Sequence, residues 1–489
     1  MNTAGMSLYE KYFHLKCYLL NKRSIFVLYL SLCVIFSRLT FFGMLIRFYI
    51  KNVLSFSEET EFNLIPYNRI QQHKEHLYDV NGFKLLKAAS IYGANGAGKS
   101  NIIKGISFLQ DLVLDALVGK ISSHTFKFLD EPNQVLGIEF IKDGIPFIYE
   151  VEIQNDVIIS EELFKSGLGK HDDELVYRRS TDQNNVTSIQ FNDSIEKEEK
   201  IQVLKNVLLE EFVKPTKTVL KIFANRDNPN LADLKIAFSW FQSSLIILAP
   251  ETRPFALADA LDTNENLKLY SNRLLQSFNL GIENLGVTIK RLEDLILNAK
   301  TLEDVKKEVD NIDYNILPLT NKAGDEIVVV KKNDTYFVKE ISLKHKNINN
   351  TATFQLSEES DGTKRLLQFI PAFMQMTHDR CTFIIDEIER SIHPLLIKEL
   401  IRKFTDDENS LGQLIFSTHE SNLLDLEIFR QDEIWFAEKD ITGSTDLYSL
   451  SDFKEHNTLD IRKGYLTGRY GSIPFLGNLK DLNWHLNES

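Results

Sequence analysis

The stretch Gly93-Ala94-Asn95-Gly96-Ala97-Gly98-Lys99-Ser100 decides the fold of this chain. A short apolar run at 85–91 precedes it, and apolar residues at helical spacing follow it from 102 to 113. This order of strand, glycine-rich loop and helix is typical of a phosphate-binding loop, or P-loop. Glycines let backbone N–H groups turn toward a polyphosphate, and the helix directs its positive N-terminal end at the same anion. The pattern therefore predicts a site for a nucleoside triphosphate.

Two side chains at the end of the loop suit the same ligand. Lys99 can reach the β- and γ-phosphates, and the Ser100 hydroxyl can bind Mg²⁺. An ordinary glycine-rich turn is the alternative, and the flanking strand and helix disfavour it. The candidate nucleotide-binding residues of this segment are Gly93, Asn95, Gly96, Gly98, Lys99, Ser100 and Asn101.

Length and composition place the chain among globular proteins of more than one lobe. It has 489 residues, too many for one simple core, with 43% hydrophobic and 26% charged residues. The net charge of -13 argues against non-specific coating of nucleic acid, although a local basic patch is compatible with it. The 3 cysteines form no CxxC pair, which disfavours a local zinc hook and a disulfide framework. We therefore expect a cytoplasmic protein.

Residues 1–43 differ from the rest of the chain in being basic and apolar. The uncharged run 24–37 is too short to span a membrane. A span extended to residue 46 would contain Arg38, at a cost of about 2.5–3.5 kcal/mol. Three interpretations stay open: sequence upstream of a natural start at Met44, a membrane anchor, or a packed extra helix or signal peptide.

The first lobe, 44–165, contains the P-loop and a predicted hairpin. Apolar residues alternate with others from 136 to 153, and Asp143-Gly144 lies between the two halves. An Asp-Gly pair between alternating runs favours a tight two-residue turn.

Residues 166–325 have a different sequence pattern from the first lobe, and they separate the first lobe from the last. The part at 180–192 is polar and loop-like, several stretches show helical spacing, and 245–248 is typical of a short strand. We interpret the segment as a helical insertion. The last lobe, 326–489, opens with predicted strands at 326–331 and 336–343.

An apolar run at 381–385 ends in two adjacent carboxylates, Asp386 and Glu387. Such a run is typical of a buried parallel strand, and ligands bind at the carboxyl ends of these strands. Asp386 is suited to the Mg²⁺ shell together with Ser100. Glu387, just past the strand, can orient and deprotonate an attacking water. The alternative is an ordinary solvated strand end, which the P-loop upstream disfavours.

The next predicted strand, 413–419, ends at His419. A lone histidine is more often structural than catalytic. This one follows the Asp-Glu strand along the chain, so it could contact a γ-phosphate if the two strands are neighbours. We therefore treat His419 as a candidate catalytic residue.

A fifth segment, Ser360-Asp361-Gly362-Thr363, precedes an apolar helix. Ser360 and Gly362 at a helix N-terminus are suited to bind an anion. Ser360 would equally serve as an ordinary helix cap, and the segment taken alone favours that interpretation.

Together these segments resemble the ATP-binding cassette ATPases. Residues 93–100 are similar to their Walker A loop, 360–363 to a divergent signature motif, 383–387 to their Walker B strand and His419 to their switch histidine. The resemblance implies an α/β P-loop head with a mixed sheet, and ATP and Mg²⁺ as cofactors. It also implies that two heads sandwich ATP, with Ser360 and Gly362 of one head touching the γ-phosphate held by the other. The long spacing before the signature resembles the split heads of chromosome-maintenance and repair ATPases.

A narrower resemblance is to the ATPase subunits of bacterial abortive-infection and restriction-linked anti-phage systems, the overcoming-lysogenisation-defect-like AAA/ABC group. It rests on Glu359–Thr363, Asp386–Pro394, Ser417–His419 and Gly468–Pro474. The resemblance implies an ATP hydrolase that dimerises or forms a higher homo-oligomer. Because too little chain follows His419 for a nuclease domain, it implies a separate nuclease-like effector protein.

Other functions are weighed against this hypothesis. A DNA-repair or recombination head of the split type is the main alternative, and DNA or RNA would then be a partner. The hypothesis of a membrane-transport motor is supported only by residues 1–43, and we do not expect a membrane partner. A nucleotide-gated scaffold without turnover is disfavoured because Glu387 is intact.

Overall fold

The structure is a computed structural model that describes residues 43–117, 120–252, 254, 256–295, 299–321, 324–453 and 460–471. Apart from Gly43, the N-terminal segment 1–43 lies outside the described residues, so its three interpretations stay open. The chain forms two compact units. Within the described residues, the smaller unit contains 251–379 and 390–397, and the larger unit contains the remainder.

The strands, in chain order, are β1 Gly43–Lys51, β2 Thr60–Asn63, β3 Leu77–Val80, β4 Phe83–Leu86, β5 Ala88–Tyr92, β6 Asn133–Lys142, β7 Ile145–Gln154, β8 Val157–Lys165, β9 Glu174–Thr181, β10 Thr187–Phe191, β11 Leu245–Leu248, β12 Ile282–Arg291, β13 Ile316–Thr320, β14 Glu326–Lys332, β15 Thr335–Lys346, β16 Thr351–Gln355, β17 Thr382–Ile385, β18 Gln413–Ser417, β19 Ile434–Lys439 and β20 Thr445–Ser449.

The α-helices, in chain order, are α1 Lys99–Leu114, α2 Asp193–Glu196, α3 Glu199–Glu211, α4 Leu220–Ala224, α5 Ala232–Ser239, α6 Leu257–Thr263, α7 Glu265–Ser277, α8 Ala299–Asp310, α9 Asp361–His378, α10 Pro394–Asp406 and α11 Ile461–Leu466.

A mixed sheet of the larger unit carries the predicted site strands. Its order is β11-β17-β18-β5-β19-β20, and all neighbours pair in parallel except β19 and β20. Every residue of β5, β17 and β18 is buried, as expected of parallel strands covered on both faces. β17 and β18 are neighbours, with Ile385 opposite Phe416. The carboxyl ends of the predicted P-loop, Asp-Glu and histidine strands therefore meet at one edge.

An antiparallel sheet, also in the larger unit, has the order β10-β9-β8-β7-β6-β1-β2. The predicted hairpin is confirmed as β6 and β7, with Lys142 opposite Ile145. Asp143 and Gly144 both have positive φ, 51° and 82°, which is the backbone that an Asp-Gly turn favours.

The interpretation of 180–192 as loop-like is wrong. β9 and β10 form a hairpin there, with Thr181 opposite Thr187. Ile189 and Phe191 of β10 are buried and alternate with exposed residues, so this strand has one apolar face despite its polar composition.

The smaller unit has its own antiparallel sheet, ordered β12-β15-β14-β13 with β16 beside β15. The predicted strands at 326–331 and 336–343 are confirmed as β14 and β15, and Asn333 and Asp334 form the turn between them. Val305 and Val309 of α8 belong to the apolar core of this unit.

The predicted mixed α/β fold is confirmed, with the P-loop between β5 and α1. The segment 166–325, predicted as helical, contains strands β9 to β13 in addition to helices α2 to α8. The division of the chain into four domains stays a prediction. Among the described residues, no helix combines the length and the apolar character that crossing a bilayer requires.

Candidate functional site

The P-loop connects β5 to the 16-residue helix α1. Gly96 and Gly98 have φ of 78° and 110°, values that residues with a Cβ rarely adopt. A Cβ on Gly98 would lie 2.2 Å from Thr445 Oγ1, whereas a Cβ on Gly96 would have no atom within 4 Å. Gly98 is thus required for close packing against Thr445, whereas the space around Gly96 is not filled by other atoms of the chain. No acidic residue lies in the first turn of α1, so the positive helix end is available to an anion.

Lys99 is buried beneath the loop. Its ammonium donates hydrogen bonds to the carbonyls of Gly93 at 2.7 Å and Ala94 at 2.9 Å. Burial lowers the pKa of Lys99 to about 8, and the charges of Glu389, Asp386 and Glu387 oppose that shift only in part. An anionic phosphate would stabilise the charged form of this side chain, because its negative charge would compensate for the hydration that burial removes.

Ser100 and Asp386 are brought together from β5–α1 and β17. Ser100 Oγ donates to Asp386 Oδ1 at 3.0 Å, and Ser417 Oγ donates to the same carboxylate oxygen. Adjacent oxygens in an Mg²⁺ octahedron, each 2.0–2.1 Å from the metal, lie about 2.9 Å apart. The hydroxyl and the carboxylate therefore fit two neighbouring positions of an Mg²⁺ shell.

Glu387 follows Asp386 at a turn in the backbone. Its φ of 51° lies in the left-handed region, which is uncommon for a residue with a side chain. The Glu387 N–H donates to Ser417 Oγ at 2.9 Å. A single hydroxyl thus fixes both adjacent carboxylate residues: it donates to Asp386 and accepts from Glu387.

His419 lies two residues beyond β18 and contacts the P-loop lysine. His419 Nδ1 is 3.1 Å from Lys99 Nζ. Because an ammonium can only donate, Nδ1 accepts this bond and the neutral ring carries its proton on Nε2. Partial burial and the Lys99 charge lower the pKa of His419. The backbone N–H of His419 donates to Glu389 Oε1 at 2.7 Å, so Glu389 positions the histidine.

Two predicted nucleotide-binding residues, Asn95 in the loop and Asn101 in α1, lie in different surroundings. Asn95 is exposed at the loop tip. The side-chain amide of Asn101 donates to Ser55 Oγ at 2.8 Å, and that oxygen is 2.7 Å from Thr445 Oγ1. Thr445 Oγ1 in turn donates to the Ala97 carbonyl at 2.9 Å. Asn101 therefore has a structural partner, and its predicted contact with nucleotide stays a prediction.

Ser360 and Gly362 belong to the smaller unit, at the start of α9. Ser360 Oγ accepts from the Thr363 N–H at 3.1 Å, so the helix cap that the sequence allowed is present. A Cβ on Gly362 would lie 2.7 Å from the Ser391 carbonyl oxygen, so this position has no room for a side chain. Their contact with a γ-phosphate stays a prediction.

Sequence reasoning missed three residues that hold the site together. Ser417 links the two carboxylate residues, Glu389 holds the backbone of His419, and Thr445 packs against the P-loop. Glu389 Oε2 is buried and has no hydrogen-bond partner among the described residues. Glu389 and Ser417 lie in segments that the motifs singled out, whereas Thr445 does not.

Comparison with known proteins gives one family and several distant structures. A model of the family described as "AAA domain, putative AbiEii toxin, Type IV TA system" matches residues 88–425. That range includes the P-loop, Asp386, Glu387 and His419. A comparison with curated proteins found no match.

Three of the similar solved structures are heads of SMC proteins. An SMC head bound to the C-terminal winged-helix domain of ScpA has 12% identity and a TM-score of 0.37, covering 83% of this chain and 97% of its own. The SMC head domain from Thermotoga maritima has 11% identity and a TM-score of 0.34, covering 83% and 98%. An SMC head with an extended coiled coil, bound to the C-terminal domain of ScpA from Pyrococcus furiosus, has 11% identity and a TM-score of 0.37, covering 88% and 99%.

Proposed function

Because the chain belongs to the AAA domain family described as putative AbiEii toxin of type IV TA systems, we propose that it binds ATP with Mg²⁺ and hydrolyses the γ-phosphate bond. The observation that carries the proposal is the 3.0 Å contact between Ser100 Oγ and Asp386 Oδ1, which joins the P-loop to the Asp-Glu strand. Lys99 and His419 meet at the same edge of the sheet.

The proposed roles follow from the chemistry of each group. The P-loop amides and Lys99 bind the phosphates, and Ser100 and Asp386 would hold Mg²⁺, which supplies positive charge beside the phosphate oxygens. Glu387 accepts a proton from water as the water oxygen bonds to the γ-phosphorus and the bond to the β–γ bridging oxygen breaks. The proton on His419 Nε2 is available to a γ-phosphate oxygen.

A second copy of the chain would complete each site. In the proposed dimer, Ser360 and Gly362 at the start of α9 in one copy contact the γ-phosphate bound by the other copy. The position of both residues at a helix N-terminus and the absence of room for a side chain at Gly362 support this role.

The biological role that we propose is control of a separate effector during phage infection. The family description, which mentions a toxin–antitoxin system, and the motifs from Glu359 to His419 support this role. The nucleotide cycle would hold or release a nuclease-like partner. Strong stimulation of ATP hydrolysis by duplex DNA ends would instead favour a repair head.

The test is phosphate release together with nucleotide binding. We expect Mg²⁺-dependent turnover by the wild-type chain, loss of nucleotide binding in Lys99→Ala, and ATP binding without turnover in Glu387→Gln. Lys200→Ala, which removes an exposed lysine outside the proposed ATP site, serves as the binding control. Normal turnover in Glu387→Gln or unchanged binding in Lys99→Ala would contradict the proposal.

A further inference from the structure

A second cluster of potential ligands lies in the larger unit at His73, Glu75 and His76. One ligand atom from each residue lies within 4.8 Å of the other two. The two imidazole rings are stacked, with their centroids 4.7 Å apart and their planes inclined by 28°. His76 is fully buried, and His73 and Glu75 are partly exposed. None of the three residues takes part in the proposed ATP site.

The hydrogen bonds around the cluster fix one nitrogen of each ring as a donor. His73 Nε2 is 2.9 Å from the Leu426 carbonyl oxygen, which can only accept. His76 Nδ1 is 3.0 Å from both carboxylate oxygens of Glu433, which is itself fully buried. Each neutral ring therefore has a lone pair on its other nitrogen, His73 Nδ1 and His76 Nε2.

These remaining nitrogens face groups that cannot donate to them when ionised. His73 Nδ1 is 3.2 Å from Glu75 Oε1, and a lone pair facing a carboxylate is repelled unless a cation lies between them. His76 Nε2 is buried and has no hydrogen-bond partner among the described residues; Asp406 Oδ1 is 3.7 Å away. A second proton on each ring would place two positive charges on stacked imidazoles. One shared divalent cation satisfies both nitrogens without that repulsion.

We propose that His73 Nδ1, the Glu75 carboxylate and His76 Nε2 bind a zinc ion as its three protein ligands. Two imidazoles with a carboxylate are a ligand set that suits Zn²⁺. Metal-bound histidines commonly donate their other N–H to a backbone carbonyl or a carboxylate, which are the partners that Leu426 and Glu433 supply.

The ion would have a structural role. Leu426 and Glu433 lie in the chain between β18 and β19, so the ion would hold the 73–76 turn against that segment. Ser90 Oγ in β5 donates to the Glu433 carbonyl at 3.2 Å, which connects the cluster to the strand that leads into the P-loop. Zinc should therefore stabilise the larger unit without taking part in hydrolysis.

The test is zinc affinity of the full chain, purified without a polyhistidine tag, stripped with chelator and free of nucleotide. Zinc is titrated against a chromogenic chelator. We expect one tight site in the wild-type chain and binding at least about tenfold weaker in His73→Gln and Glu75→Gln, whose partly exposed side chains leave the core intact. Zinc should raise the melting temperature of the wild-type chain and not that of His73→Gln.

Two controls separate this site from other ligands. His171→Gln removes an exposed histidine outside the cluster and should bind zinc like the wild-type chain. Asp386→Asn removes a carboxylate of the proposed Mg²⁺ shell and should also retain zinc. The proposal is overturned if the wild-type chain has no tight site, as expected if protons occupy the cluster, or if His73→Gln and Glu75→Gln bind zinc with wild-type affinity.

Discussion

Ser417→Ala should impair hydrolysis although Ser417 would not touch ATP. Its hydroxyl donates to Asp386 and accepts from the Glu387 N–H, so the variant removes both bonds at once. A buried hydrogen bond to a charged group contributes about 1.5–3 kcal/mol, and leaving the Glu387 N–H unpaired costs about 1–3 kcal/mol. If the carboxylate bond is lost in the transition state, kcat should fall by about ten- to a hundredfold.

The assay is steady-state phosphate release with saturating Mg²⁺ and ATP, alongside ATP affinity and thermal unfolding. Ser90→Ala is the matched control, because it removes a buried hydroxyl from neighbouring β5 that bonds the Glu433 carbonyl instead of a site carboxylate. We expect both variants to lose some stability and only Ser417→Ala to lose kcat. A kcat for Ser417→Ala equal to that of the control would refute the assignment of Ser417 as a positioning residue.

Three further predictions concern the phosphate contacts. Because burial lowers the pKa of Lys99 to about 8, ATP affinity should fall as the pH rises above that value, by up to about tenfold per pH unit. Titration calorimetry at several pH values checks this. In Lys99→Arg, ATP affinity should not depend on pH in this range. Gly98→Ala should abolish ATP binding and lower the melting temperature more than Gly96→Ala. Positive φ destabilises both variants by about 1–2 kcal/mol, but only the Cβ of Gly98→Ala also clashes with Thr445. Equal losses of melting temperature in the two variants would argue against the packing role of Gly98. Ser360→Arg should keep ATP binding and lose turnover, and retained turnover would count against sharing of sites between two copies.

The phosphate-binding parts of the site were predictable from sequence because their chemistry restricts the residue types. A P-loop needs glycines at positive φ followed by lysine and serine, and a buried strand ending in Asp386 and Glu387 is equally distinctive. The strand order is not local, however. β18 lies between β17 and β5, and only this arrangement brings His419 to Lys99.

Ser417 and the β9–β10 hairpin show why the remainder was not predictable. A serine at a strand end has the same local pattern whether its hydroxyl bonds a catalytic carboxylate or water. In β10, Ile189 and Phe191 are the only large apolar residues, so their alternation is too short to predict a strand. Tertiary contacts determine both the role of the Ser417 hydroxyl and the formation of the β9–β10 hairpin.

The most direct test of the account is a double-mutant cycle on the Mg²⁺-dependent affinity for ATP. Ser100→Ala, Asp386→Asn and the double variant are compared by titration calorimetry with and without Mg²⁺. If the Ser100 and Asp386 oxygens hold one ion, the double variant should bind ATP with Mg²⁺ about as weakly as whichever single variant binds it less tightly. The two substitutions would then have an interaction free energy of about 0.5–3 kcal/mol. Additive losses, or equal losses without Mg²⁺, would contradict a shared metal site.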